Sequence, residues 1–201
     1  GVYNTFLEAN NLSHTSFEMV IEKTKPGNNG NLILPWFEGE RTPDLPNGCP
    51  LYFGFNIENL NLETLSRGIL EGLILNLHDG FIKLPVTPKT LHLTGGMSTS
   101  TLWCQTISNI FNCKTVSVKD EGAALGAAIH AAWVWENELG NEISLKELSD
   151  PFIQFDQKLR FNPEKQYIDT YQSLNLLYSS LSKRLRGLEA DNPYKLRKNL
   201  A

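Results

Sequence analysis

The stretch Thr90-Leu91-His92-Leu93-Thr94-Gly95-Gly96-Met97-Ser98 decides the fold class. Residues 90–94 have the length and apolar content of a strand, and residues 98–111 carry apolar side chains at helical spacing. Two adjacent glycines let the main chain turn sharply between these elements. The stretch therefore predicts a strand, a glycine turn and a helix, in that order.

Strands and helices alternate on both sides of this stretch. Residues 32–37 form an apolar run that predicts a buried strand, and residues 62–77 carry Leu and Ile at helical spacing after Asn61, a good N-cap. Residues 114–118 are predicted as the next strand, and the small residues of 122–128 as a helix that lies close to the sheet. Strands joined through helices lie parallel. We therefore expect an α/β fold with a mostly parallel sheet flanked by helices.

The ends of the chain carry weaker signals. Residues 2–25 are polar and weakly helical, residues 152–161 alternate as a strand does, and residues 167–185 predict a polar-faced helix. Residues 189–201 are predicted to be a frayed terminus. Three tryptophans are expected to pack between helices and sheet: Trp103, Trp133 and Trp135.

Composition excludes several classes of partner. The 201 residues are 41% hydrophobic and carry a net charge of −4, so no basic field exists to hold nucleic acid or an anionic membrane. No apolar run approaches the roughly 18 residues of a membrane helix. Three cysteines suggest free thiols and the cytoplasm. Because the chain begins with Gly1, we expect a piece of something longer.

Gly95 and Gly96 form the best candidate site. A strand that ends in glycines presents bare main chain at the carboxyl edge of a parallel sheet, which is where ligands bind. The alternative is an ordinary tight turn. Neither a Walker loop nor a GxGxxG fingerprint occurs in the sequence. Glu121 and Gly122 begin a helix on the same rim, whereas the glycine and alanines that follow are interpreted as packing residues.

Two charged pairs lie elsewhere in the chain. Glu40 and Arg41 occupy a loop at a strand end, where they either take part in function or form a surface ion pair. Arg67 and Glu71 stand one helical turn apart and either support that loop or form a solvated pair. The four histidines are scattered without ligand spacing, so no metal site is expected.

Four ordered motifs between residues 31 and 133 together resemble one family. They read LPWFEGERTP at 34–43, RGILEG at 67–72, LTGGMS at 93–98 and EGAALGAA at 121–128. In these motifs the chain resembles the C-terminal domain of the FGGY carbohydrate kinases, and the GERTP element is typical of the xylulokinase-like branch. The resemblance implies a ribonuclease H-like, actin-like ATPase fold, with residues 1–201 as an incomplete C-terminal domain and residues 140–201 as its extension.

The resemblance also implies a nucleotide site for ATP or ADP. Carried over by position, Gly95, Gly96 and Met97 would line adenine and ribose, with Ser100 nearby. Gly39 would approach the phosphates, and Glu121 would close the rim of the pocket. Mg²⁺ would be held mainly through the phosphates and by a missing N-terminal kinase domain.

The same resemblance sets the expected activity. The family's N-terminal domain supplies the aspartate base, the DxGT phosphate turn and most of the sugar pocket, none of which occurs here. We expect a fragment, inactive alone, of a kinase that phosphorylates a ketopentose, D-xylulose first. The alternatives are ribulose, gluconate or another polyol as substrate, a non-catalytic nucleotide-binding scaffold, or an unrelated α/β domain. Exposed apolar surface on such a fragment would favour self-association, including a homodimer.

Overall fold

The computed structural model describes residues 1–119 and 122–200. Within these ranges the helices are α1 (Val2–Ala9), α2 (His14–Ile21), α3 (Leu62–Phe81), α4 (Thr101–Phe111), α5 (Gly122–Glu138), α6 (Leu145–Ser149), α7 (Ile168–Leu185) and α8 (Pro193–Arg197). The strands of the same ranges are β1 (Leu32–Leu34), β2 (Leu51–Phe53), β3 (Thr90–Leu93), β4 (Lys114–Val118) and β5 (Phe155–Phe161). None of the helices described is long and apolar enough to cross a membrane.

The chain forms two compact units. Unit 1 comprises Gly1–Thr87, Asn109–Asn112 and Pro163–Ala201, and unit 2 comprises Pro88–Ser108 and Cys113–Asn162. The predicted extension at 140–201 is thus divided between the two units.

Helix α3 is the centre of unit 1. It begins at Asn61, whose side chain accepts the N–H of Thr64 at 3.0 Å, as the sequence predicts. The helix packs against β1, whose three residues are fully buried, and against α7. Gly72 permits this approach, because a β-carbon there would overlap the carbonyl oxygen of Ile33. The main core of unit 1 is therefore formed by β1, α3 and α7, which pack against one another.

The strand pairings are mixed. In unit 2 the order is β3-β4-β5, with β3 and β4 parallel and β5 antiparallel to β4. In unit 1, β1 and β2 are antiparallel. The parallel arrangement is confirmed for the strand–turn–helix–strand segment alone. Strand β5 pairs with the opposite edge of β4, and its half-exposed alternation suits an antiparallel edge strand.

The expectation of a frayed C-terminus was wrong. Helix α8 begins at Asn192, which caps the N–H groups of Tyr194 and Lys195. Arg197 then donates hydrogen bonds to Gly30 O at 3.2 Å, Gly54 O at 3.1 Å and Asn31 Oδ1 at 2.9 Å. These long-range bonds fix the terminus to the turns beside β1 and β2.

Helix α5 does not pack as the sequence suggests. None of its described residues is buried, and an added β-carbon on Gly126 would meet nothing within 4 Å. Trp135 on this helix is 61% exposed, whereas Trp103 of α4 is buried as expected. Gly122 lies against Thr94 and the helix packs against α6, whereas the glycine and alanines of 123–128 are exposed.

Candidate functional site

The turn after β3 exposes bare main chain. Gly95 has φ 88°, a conformation that favours glycine, and residues 96–99 form a short 3-10 turn before α4. An added β-carbon at Gly95 or at Gly96 would meet nothing within 4 Å. Among residues 1–119 and 122–200, no side chain fills the space beside these two glycines, so a flat ligand could lie directly against the main chain there.

The buried side of the turn is held by a polar cluster. The Ser98 hydroxyl donates to Gly95 O at 2.7 Å, and Ser98 O accepts hydrogen bonds from Ser117 Oγ at 2.5 Å and Cys104 Sγ at 3.3 Å. Burial raises the pKa of the Cys104 thiol, so it stays protonated as a donor. The turn is therefore held on the buried side by the hydrogen bonds of Ser98, while the side of Gly95 and Gly96 stays open. Sequence reasoning did not find Ser117, although a serine inside a buried strand was a usable signal.

The predicted contact residues of unit 2 lie in this one turn. Gly95, Gly96, Met97 and Ser100 follow one another there, and Ser100 N–H donates to Met97 O at 3.2 Å. Glu121 lies outside the described residues. Its neighbour Gly122 donates its N–H to Thr94 Oγ1 at 3.2 Å, so the start of α5 lies beside the end of β3, as the rim prediction requires.

A groove of about 370 Å³ adjoins the turn within unit 2. Thr94 and Gly122 line the groove next to the turn. Its apolar lining includes Ile129, Phe152 and Ile153. Ligand pockets are mostly apolar with a few polar groups at fixed positions. The groove meets the glycine turn at Thr94, and its lining is mostly apolar with polar groups from Thr94, Ser149 and two histidines.

The Gly39 loop belongs to unit 1 and is itself well ordered. Gly39 has φ 75°, and a β-carbon there would overlap the carbonyl oxygen of Pro46. The next residue, Glu40, exchanges two main-chain hydrogen bonds of 2.9 Å with Leu45. Its carboxylate accepts the N–H of Arg41 at 2.7 Å, whereas the Arg41 side chain is exposed. The Glu40 carboxylate thus closes the loop on its own main chain instead of pairing with the Arg41 guanidinium.

The Arg67–Glu71 pair neither supports the Gly39 loop nor is exposed to solvent, which were the two expectations. Their side chains are 6% and 1% exposed, so they form a buried ion pair of 3.6 Å instead of a solvated one. Arg67 donates to Thr24 Oγ1 at 2.8 Å and to Ile21 O at 3.2 Å, and Glu71 accepts the N–H of Gly27 at 2.9 Å. Burial raises the pKa of Glu71, and Arg67 opposes that shift. Neither side chain bonds the Gly39 loop in the described residues.

The support expected from Arg67 and Glu71 comes instead from Asn76 of the same helix. Asn76 Nδ2 donates to Glu40 Oε2 at 2.6 Å. Sequence reasoning missed this residue, and the signal was an amide side chain inside the apolar run of α3. The sequence predicted charged partners for the loop, whereas its Glu40 carboxylate is bound by the neutral amide of Asn76.

Metal ligands do not gather in the described residues. No three side chains of His, Cys, Asp or Glu come together there in a way that could hold a metal ion.

Comparison with known proteins identifies the class. The family profile described as FGGY family of carbohydrate kinases, C-terminal domain, matches residues 3–135. The chain belongs to this family. Xylulose kinase of Haemophilus influenzae is 30% identical over 167 residues, which are 81% of this chain and 33% of that protein. Gluconokinase of Bacillus subtilis is 29% identical over 176 residues, 84% of this chain and 32% of that protein.

Solved structures agree with this assignment. Ligand-bound xylulose kinase from Lactobacillus acidophilus matches 92% of this chain and 38% of its own, with a TM-score of 0.79 and 27% identity. Gluconate kinase from Lactobacillus acidophilus gives a TM-score of 0.74, also at 27% identity, over 86% of this chain and 35% of its own. The fold is that of the actin-like ATPases, as predicted. The chain spans about a third of the length of the curated relatives it matches.

Proposed function

We propose that this chain forms the nucleotide side of an ATP-dependent sugar kinase that phosphorylates D-xylulose at its terminal hydroxyl. The observation that carries the proposal is the open main chain at Gly95 and Gly96, held from below by Ser98 and flanked by an apolar groove. Similarity to several xylulose kinases supports this sugar, and similarity to gluconokinases keeps gluconate as a second candidate.

The proposed roles follow from the geometry of each unit. In unit 2, Gly95, Gly96 and Met97 would contact adenine and ribose, with Ser100 nearby and Glu121 at the rim. In unit 1, the main chain of the Gly39 loop would approach the phosphates, and the shape of that loop depends on the positive φ of Gly39 and its close approach to Pro46 O. Mg²⁺ would be held mainly through the phosphates and by other parts of the kinase.

Phosphoryl transfer explains why this chain would be inactive alone. The sugar oxygen attacks the γ-phosphorus, the bond from that phosphorus to the ADP oxygen breaks, and a base takes the hydroxyl proton. The rate depends on holding donor and acceptor in line. We propose that an N-terminal kinase domain supplies the base and the sugar pocket, and that this chain supplies the ATP side.

The direct test uses the protein of the full reading frame in a coupled ADP-release assay. D-xylulose, D-ribulose, gluconate and glycerol are compared at equal concentration, with the 201-residue chain assayed in parallel. We expect turnover with D-xylulose for the full protein and none for the shorter chain. Turnover with gluconate alone would select the second candidate. ATP binding without transfer to any sugar would favour a scaffold, and robust turnover by the 201-residue chain would contradict the proposed division of roles.

A further inference from the structure

Asn76 makes the side-chain hydrogen bonds that join the Gly39 loop to two helices. Its Nδ2 donates to Glu40 Oε2 at 2.6 Å, and its Oδ1 accepts hydrogen bonds from Trp36 Nε1 at 3.0 Å and Tyr178 OH at 2.7 Å. Trp36 lies just before the loop, Asn76 is on α3 and Tyr178 is on α7. One amide thus connects both sides of Gly39 in sequence to the core of unit 1.

The chemistry of the partners sets the orientation of this amide. An indole N–H can only donate, so the Asn76 atom that faces Trp36 is the oxygen. The amide nitrogen then faces a carboxylate oxygen, which can only accept when ionised. A reversed amide would place two donors together and a carbonyl against a carboxylate. The arrangement therefore has one favourable orientation, and it specifies where Glu40 lies.

The surroundings make the arrangement rigid. Trp36 and Tyr178 are each 1% exposed, so neither donor can be exchanged for water at low cost. Burial, with the nearby charges of Asp79 and Glu40, raises the pKa of Tyr178, so its hydroxyl stays a donor. The other oxygen of Glu40 accepts the N–H groups of Arg41 and Thr42 at 2.7 and 3.3 Å. Glu40 is thus bonded on both oxygens.

We propose that Asn76 is a positioning residue for ATP: through Glu40 it holds the Gly39 loop, residues 37–48, where its main chain can meet the phosphates. This inference rests on the proposed function, because it acts through Gly39. Hydrogen bonds that hold a contacting loop in advance reduce the cost of ordering it when the ligand binds. Loss of the hydrogen bond between Asn76 and Glu40 should therefore weaken the binding of ATP more than the binding of sugar.

The test exchanges the hydrogen-bond donor of Asn76 and the acceptor of Glu40. Asn76→Asp places two carboxylates face to face. Glu40→Gln places an amide nitrogen either against Asn76 Nδ2 or against the N–H groups of Arg41 and Thr42. The double variant restores a single bond of reversed direction, from the Gln nitrogen to the Asp oxygen, and leaves the other partners of both side chains unchanged. Asp44→Asn removes a charge from the same loop at an exposed position and is the matched control.

Two measurements are made on the protein of the full reading frame. The first compares KM for ATP, KM for sugar and kcat. The second is the rate of tryptic cleavage after the exposed Arg41, read by mass spectrometry and independent of activity. Each single variant should raise KM for ATP and the cleavage rate by roughly tenfold, the scale of a lost buried hydrogen bond to a charge. The double variant should recover most of both, with Asp44→Asn close to wild type.

The possible failures are distinguishable. A double variant no better than the worse single variant in both measurements would overturn the role of Asn76. Altered cleavage with unchanged KM for ATP in an active kinase would overturn positioning for ATP and leave the proposed function intact. In a third outcome, the double variant recovers the wild-type cleavage rate while the wild-type protein transfers phosphate to no sugar. That result would support the Asn76–Glu40 contact and contradict the proposed function. Thermal melting of each variant identifies any that fails to fold, and the rescue is then judged on the double variant.

Discussion

Gly72 and Gly96 both belong to motifs shared with the FGGY kinases, yet their surroundings are opposite. Gly72 in unit 1 lies so close to β1 that any side chain would overlap the Ile33 carbonyl, whereas Gly96 in unit 2 faces open space. The first glycine is explained by packing within the described residues. The second has no packing reason there, and the proposed contact with adenosine is the physical reason we test for it. The same residue type is thus required by packing in one unit and is free of packing contacts with the described residues in the other.

One long helix from each unit repeats the contrast. Helix α3 buries ten of its residues, including an ion pair, whereas α5 buries none. Helix α5 packs against α6, and Trp133 donates to Ile143 O at 2.9 Å, yet none of its residues is buried. Substitutions in α3 should change stability, and substitutions at the open face of unit 2 should change function.

The largest expected effect separates the packed glycine from an open one. Gly72→Ala would force a β-carbon into a main-chain carbonyl, so we expect a loss of roughly 3 kcal/mol or more in the free energy of unfolding. The matched control is Gly126→Ala on α5, where the space is open and helix propensity should give a gain of about 0.5–1 kcal/mol. Chemical denaturation of the full protein measures both. Equal effects would remove the distinction between the two units.

A smaller effect is expected at the C-terminal contact of unit 1. Arg197→Ala removes hydrogen bonds to Gly30, Asn31 and Gly54, and we expect a loss of about 2 kcal/mol. Arg197→Lys should recover only part of this, because an ammonium group lacks the planar donor arrangement. Lys198→Ala, an exposed neighbour, is the control. Urea unfolding that cannot distinguish Arg197→Ala from Lys198→Ala would mean that the contact adds nothing to unit 1.

The smallest effect is a pH dependence in unit 1. Burial lowers the pKa of His78, with Asp79 opposing the shift, and its ring contacts Phe111 edge-on at 5.0 Å. The folded state then binds the proton less tightly than the unfolded state does. The contribution of neutral His78 to the free energy of unfolding should be complete above pH 6.5, the ordinary pKa of histidine. It should be lost as the pH falls through the pKa of His78 in the folded state.

The matched variant for this prediction is His78→Phe, which keeps an aromatic ring and cannot titrate. Melting temperatures are compared from about pH 8 to about pH 5, and wild type should lose about 1 kcal/mol relative to the variant for each unit of pKa shift. A difference between the two proteins that stays constant with pH would show that His78 is not buried as described.

Sequence patterns predicted the elements whose signals are local. The start of α3 after Asn61 and the bounds of β4 at 114–118 agree with the structure, as does the strand–glycine–helix order at 90–111. Helical spacing, capping and strand length depend on neighbouring residues only, so they can be recognised in the chain itself. The family motifs extended this to the fold class.

Features that depend on distant contacts could not be predicted. The terminal segment is ordered because Arg197 reaches acceptors more than 140 positions away in sequence. The partners of Arg67 lie on the chain between Ile21 and Thr24, which the spacing of α3 does not show. The openness of α5 was likewise hidden, because glycine and alanine have the same sequence pattern whether a neighbour is present or not. Burial is a property of the assembled domain.

The most direct measurement of the central claim uses Gly96→Val in the protein of the full reading frame. Gly96 has open space around it, so the variant should fold and melt like wild type. A branched side chain would occupy the space proposed for adenosine, and we expect KM for ATP to rise at least about tenfold while KM for sugar changes little. An equal change in both constants, or no change in either, would contradict an adenosine site at this turn.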